Sequence, residues 1–96
     1  MPAAMNDREF SRFMFRMGLF KRRGWSEEVA EQFADKTLAR DRDGDDRKAC
    51  IECKNLQRGG TCFEAAQGRI AGADRRLTPV QNIFQRCERF TWATPA

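Results

Sequence analysis

Four cysteines, at positions 50, 53, 62 and 87, are the residues of this chain best suited to chemistry. Cys50 and Cys53 form a C-x2-C pair. Cys62 follows after eight residues and Cys87 after a further 24. Two intervening residues let both sulfurs of the pair point into one cavity while amides of the turn face them. A hairpin could bring Cys62 beside that turn, and a later helix could supply Cys87. Four thiolates around Zn²⁺ make a closed structural site with no position left for water. Such a site carries excess negative charge, and Arg47, Lys48, Lys54 and Arg58 flank the first three ligands to offset it. The same residues also suit an iron–sulfur cluster, two disulfides, or a set of small buried hydrophobes. Residues 1–10 lack the apolar stretch of a secretory signal. A cytoplasmic, reducing setting is therefore expected, where disulfides are rare. Zinc is the first expectation for the cofactor and an iron–sulfur cluster the second.

Catalysis is a poor fit. The chain has no histidine, which removes the usual general base, and no nucleophile–base pair stands out among its other residues. No Gly-rich phosphate loop and no internal repeat are visible. Asp41, Asp43, Asp45 and Glu52 are spaced like ligands of a calcium loop. That loop needs Gly at its sixth position, where Asp46 stands, and an apolar residue at its eighth, where Lys48 stands.

Charge offers a second kind of chemistry. The 96 residues hold 18 Lys and Arg against 14 Asp and Glu, a net charge of +4. Residues 1–25 sum to +4, residues 26–46 to −5 and residues 47–96 to +5. Arg8, Arg12 and Arg16 fall four apart, and Lys21, Arg22 and Arg23 follow. With Lys54 and Arg58 they could track a phosphate backbone. The competing reading is an ordinary solvated helix face, paired with acids of the next helix. The second helix carries Glu27, Glu28, Glu31 and Asp35, which suits it badly to a groove lined by phosphates. Phe15 and Leu19 lie off the main apolar row, so the first helix has a second apolar face. That face meets either a protein partner or the cysteine half of the chain.

These residues need elements to position them. Residues 1–6 read as a disordered leader. Residues 7–22 read as a helix, with Phe10, Met14 and Met17 in one apolar row and Phe13, Met17 and Phe20 in the next. Gly24 ends it, Trp25 packs back as a hydrophobic staple, and Ser26 caps a second helix over 27–42. The stripe Val29, Ala30, Phe33, Ala34, Thr37 and Leu38 faces the first helix, which makes an αα-hairpin over 7–43. Residues 44–92 read as a four-cysteine module. Short strands at 54–57 and 61–64 flank the Arg58-Gly59-Gly60 turn. A closing helix starts at Thr78-Pro79-Val80-Gln81, with Val80, Ile83, Phe84 and Cys87 on one face. Residues 93–96 form a tail. The expected fold is small α+β, mostly α: a helical hairpin, then a zinc-knuckle hairpin closed by a C-terminal helix. No run of about 18 apolar residues is present, so no membrane span is expected.

The string RDRDGDDRKACIECKNL, with the preceding AEQFADKTLA and the late QRCERF, resembles small uncharacterised four-cysteine proteins of proteobacteria and their phages or mobile elements. Asp45, Asp46, Arg47, Cys50, Glu52, Cys53, Cys62, Arg86, Cys87 and Phe90 carry the resemblance. It implies that the four cysteines belong together, and it brings no activity with it. The functional expectation is a non-enzymatic, zinc-stabilised binding module that contacts nucleic acid or a nucleoprotein complex. The alternative is an adaptor or inhibitor of a host protein complex, acting through the Phe/Met helix and the acidic middle.

Overall fold

The computed structural model describes residues 4–94. Among them no helix is long and apolar enough to cross a membrane. The chain divides at Asp46–Arg47 into two compact units. The molecule is small and mostly helical, with little strand.

The first unit is a helical hairpin, α1 (Asp7–Arg22) and α2 (Glu27–Arg42). The helix ends are set by local chemistry. Asn6 caps α1 in a reciprocal box: the Glu9 amide donates to Asn6 Oδ1 at 2.8 Å, and the Asn6 amide donates to Glu9 Oε1 at 3.1 Å. After α1 the chain reverses at Gly24, whose φ of 100° few other residues accept. The Gly24 amide donates to Lys21 and the Trp25 amide to Phe20. This is a Schellman closure, completed by ring contact between Phe20 and Trp25 at 5.2 Å. Trp25 thus packs on the helix it follows, and edge-on against Phe33 of α2. Ser26 caps α2 by accepting from the Val29 amide at 3.2 Å. Gly44, with φ 69°, closes α2 in the same way as Gly24 closes α1.

Packing in this unit centres on Phe20 and Phe33, with Leu19, Ala30, Ala34 and Leu38 also buried. The α2 stripe is as expected except for Val29, which is exposed. The face of α1 differs. Phe10 and Met14 are more than half exposed, while Arg16 joins Leu19 and Phe20 on the buried face. The cause is Asp41 of α2, which accepts Arg16 Nη2 at 2.9 Å and so turns that row inward.

Residues 1–3 of the expected leader lie outside the described residues. Residues 4–6 are tied down, by the Asn6 cap and by Arg42, whose Nη2 donates to the Ala4 carbonyl at 3.0 Å. Arg42 also forks onto the Glu9 carboxylate at 2.7 and 3.0 Å. That hydrogen bond first, and the Asn6 amide second, bring Glu9 from its ordinary 4.5 down to about 2. A carboxyl depressed on folding adds stability above its unfolded pKa and loses it as pH falls through the folded one. The thermal midpoint of the wild type should therefore exceed that of Glu9→Gln at about pH 6. The gap should close as pH drops from 4.5 to 2. A gap that stays constant with pH would contradict this account.

The second unit, residues 47–94, has few regular elements. A single 3-10 turn spans Cys50–Glu52, and a short helix α3 spans Phe63–Ala66. Three isolated antiparallel bridges, Lys48 with Gln85, Cys53 with Trp92 and Leu56 with Cys62, tie distant segments together. The core is Ala49, Ile51, Cys53, Leu56 and Ala65. The expected hairpin is reduced to the Leu56–Cys62 bridge around a turn at Gln57–Gly60. Its second strand is replaced by α3, because the Ala66 amide takes the Cys62 carbonyl.

The expected helix from Thr78 does not form. A helix there would bond the Gln85 amide to the Gln81 carbonyl. Instead the Gln81 carbonyl accepts from Ile51 at 3.0 Å, and the Gln85 amide donates to Lys48 at 2.8 Å. Both groups are diverted into long-range pairs, so a well-formed local start signal is overridden. Of the expected tail, Ala93 and Thr94 belong to the unit: the Ala93 amide donates to the Glu52 carbonyl, and Thr94 is buried. Residues 95–96 lie outside the described residues.

Candidate metal centre

The 3-10 turn places the first two cysteines. The Cys53 amide donates to the Cys50 carbonyl at 3.0 Å, which bends the chain so that both residues sit on one side of the turn. The Leu56–Cys62 bridge brings the third beside them. Cys87 arrives on an irregular segment held by the Lys48–Gln85 bridge two residues earlier. All four residues line one apolar cavity of about 30 Å³, closed by Leu56, Pro79 and Phe90. That is room for a single occupant of about the size of a water molecule or an ion.

All four are free thiols, so the two-disulfide alternative has no counterpart in the structure. Two of the sulfurs accept hydrogen bonds. The Asn55 amide donates to Cys53 Sγ at 3.4 Å, and Gln85 Nε2 donates to Cys50 Sγ at 3.2 Å. Such donors favour sulfur in its charged, ligating form. Burial nonetheless raises the Cys50 pKa, the Gln85 hydrogen bond opposes that rise, and the neighbouring thiolates of Cys53, Cys62 and Cys87 add to it. Among the described residues no group of three or more His, Cys, Asp or Glu is arranged to hold a metal ion. The four cysteines line one cavity, but they are not grouped there as a ready-made ligand set.

The residues expected to meet nucleic acid divide between the two units. On α1, Arg16 is buried on Asp41, Arg12 lies 3.6 Å from the same carboxylate, and Lys21 pairs with Glu27 at 3.3 Å. Arg22 lies over the Phe15 ring, Arg23 is half-buried, and Arg8 is exposed. Arg16 is thus inside, and Arg12 and Lys21 are turned to acids of α2, the arrangement of the competing reading in which this face pairs with the next helix. In the second unit Lys54 and Arg58 are both exposed. Lys48 sits over the rings of Phe90 and Trp92.

The expected protein contact at Phe15 and Leu19 also changes. Leu19 is a core residue and Phe15 is half-buried, so neither makes an open face. The exposed apolar residues of α1 are Phe10 and Met14. The calcium-like spacing forms no loop: Asp41 is held by arginines, and the buried Glu52 carboxylate accepts from the Ala49 amide at 3.0 Å.

The backbone amide of Asn55 is a turn amide of the kind expected to face the sulfurs. Sequence reasoning missed Gln85 as a side-chain donor to sulfur. Gln85 comes from a segment expected to be helical, and nothing local pointed to it.

No protein-family model matches this chain, and neither a curated protein nor a solved structure is significantly similar to it.

Proposed function

We infer that this chain is a non-enzymatic, zinc-stabilised binding module of phage or mobile-element type that contacts nucleic acid or a nucleoprotein complex. The observation that carries the reading is the shared cavity of Cys50, Cys53, Cys62 and Cys87, with hydrogen-bond donors already directed at two sulfurs. The donor set suits zinc. The unit that holds them carries nine basic and four acidic residues. Lys54, Arg58, Arg75 and Arg76 are exposed on it, which supports phosphate contact through this unit instead of through α1.

Binding to unrelated DNA and RNA should weaken linearly as the logarithm of salt concentration rises, with a slope that counts the phosphates contacted. Lys54→Glu with Arg58→Glu should flatten that slope and lower affinity at low salt. No binding at low salt would reject the nucleic-acid reading. A second reading, a protein-binding adaptor, is favoured by the exposure of Phe10 and Met14 on α1 and of the acids Asp43 and Asp46 in the same unit. Its mark is a partner contact that Met14→Ser weakens and that unrelated DNA or RNA does not compete away.

A further inference from the structure

Two aromatic residues of the second unit stand in water: Phe63 is 41% exposed and Trp92 39%. Both are neighbours of one short segment. Cys53 is bridged to Trp92, the Lys54 amide donates to the Thr91 carbonyl at 2.8 Å, and the Phe63 amide donates to the Asn55 carbonyl at 2.7 Å. Lys54 is the middle residue of that segment, and Arg58 follows in the turn at Gln57–Gly60. Both cations are exposed, and neither forms an ion pair with a described residue. The acids of the same stretch do not cancel them. Glu52 is fully buried, and Glu64, 15% exposed, is held by Arg69. The Trp92 ring is braced at right angles to Phe90 at 4.9 Å, and Lys48 is already engaged over both rings. Arg69 lies over the Phe63 ring at 5.6 Å, and two-fifths of that residue still remains in water.

We propose that Trp92 and Phe63 are stacking platforms for the bases of single-stranded nucleic acid, whose phosphates meet Lys54 and Arg58. The proposal rests on the nucleic-acid reading of this unit and deepens it by naming the form of nucleic acid bound. Cations alone serve any phosphate backbone, single or double. Exposed rings add a condition, because a base must offer its flat face to stack on them. In a duplex those faces are covered by the neighbouring pairs, whereas a single strand can splay them outward. Every base has such a face, so the contact is tolerant of sequence. Bracing favours it further: a ring already fixed by Phe90 and Lys48 loses little freedom when a base settles on it.

The test uses the full chain and three fluorescein-labelled probes of equal length: oligothymidylate, an abasic strand that keeps the phosphates but has no bases, and a DNA duplex. Fluorescence anisotropy at low salt should show oligothymidylate binding roughly tenfold or more tightly than the abasic strand, and more tightly than the duplex. This comparison needs no variant, so it holds whether or not a substitution disturbs folding. Phe63→Ala and Trp92→Ala should each weaken oligothymidylate by roughly tenfold and leave the abasic strand unchanged, a split that an unfolded unit cannot produce. In a Trp25→Phe background, unlabelled oligothymidylate at saturation should quench Trp92 emission, and the abasic strand should not. Equal affinity for the two strands, or unquenched Trp92 emission, overturns the proposal and leaves the nucleic-acid reading standing. Absence of binding by all three probes overturns both, and the exposed rings then belong to a protein contact.

Discussion

Cys53→Ser is expected to abolish zinc binding and melt the cysteine unit while the helical hairpin stays folded. The reason is the poverty of that unit's own core. Its buried apolar residues are Ala49, Ile51, Cys53, Leu56 and Ala65, and only two of these are large aliphatics. Its backbone is joined by three isolated bridges instead of ladders. Domains of this size commonly need a metal or a disulfide, and all four cysteines are free thiols. A structural zinc contributes about 10–16 kcal/mol of apparent binding energy near neutral pH, and that energy is folding energy when the site forms only with the fold. On the zinc reading Cys53 is the residue to change, because it is buried and its sulfur accepts the Asn55 backbone amide. The two tryptophans separate the units: Trp25 lies in the hairpin and Trp92 in the cysteine unit. Elemental analysis should give one zinc per wild-type chain and none in Cys53→Ser. In an NMR spectrum the Trp92 indole signal should collapse in the variant while that of Trp25 persists. An unchanged Trp92 signal, or wild-type protein without zinc, would overturn the assignment. A brown protein absorbing near roughly 400 nm would replace zinc by an iron–sulfur cluster.

The parts of the fold that were legible in the sequence are those decided within one turn of chain. Ser26 before two glutamates, and Gly24 after three cations, mark helix ends by hydrogen bonds to near neighbours, and both are found in place. Asn6, three residues before Glu9, carried the same kind of signal. It was missed because the leader was read as featureless. What could not be read is whatever depends on distant partners. Thr78-Pro79-Val80-Gln81 has every local mark of a helix start, yet Ile51 and Lys48 claim the backbone groups that the helix would need. The apolar row of α1 misled for a related reason. Periodicity ranks Phe10 and Met14 above Arg16 for burial, because it cannot see that Asp41 stands opposite. The thiol cavity is intermediate. Spacing suggested that the four cysteines meet, and they line one cavity. The bridges that bring them there have no counterpart in the local pattern.

Asp41→Ala should be the most damaging single change at an acidic residue of the hairpin unit. This carboxylate accepts Arg16 Nη2 at 2.9 Å and Arg40 Nη2 at 2.9 Å, with Arg12 at 3.6 Å. The side chains of Arg16 and Arg40 are each only 2% exposed. Two buried cations thus share one anion, and removing it leaves their charge without that compensation in a poorly solvated place. Breaking a buried pair from one side costs about 3–5 kcal/mol. The lower end, about 3 kcal/mol, is expected because Asp41 itself is a quarter exposed. Arg12→Ala should cost under about 1 kcal/mol, since that guanidinium is more exposed and more distant. The protonation equilibrium agrees in sign. Burial pushes the Asp41 carboxyl up, but Arg16 and Arg40 together hold it below its ordinary value. Its contribution is therefore complete above the unfolded carboxylate range and declines as pH falls through the folded pKa. Urea unfolding followed by Trp25 fluorescence, in a Trp92→Phe background, should show the wild type losing stability toward acid while Asp41→Ala, already destabilised, changes less. Equal stability of Asp41→Ala and wild type near neutral pH would mean that the arginines find other compensation. Arg16 would then be buried for the sake of its aliphatic stem, and the inward turn of its face of α1 would need a cause other than charge.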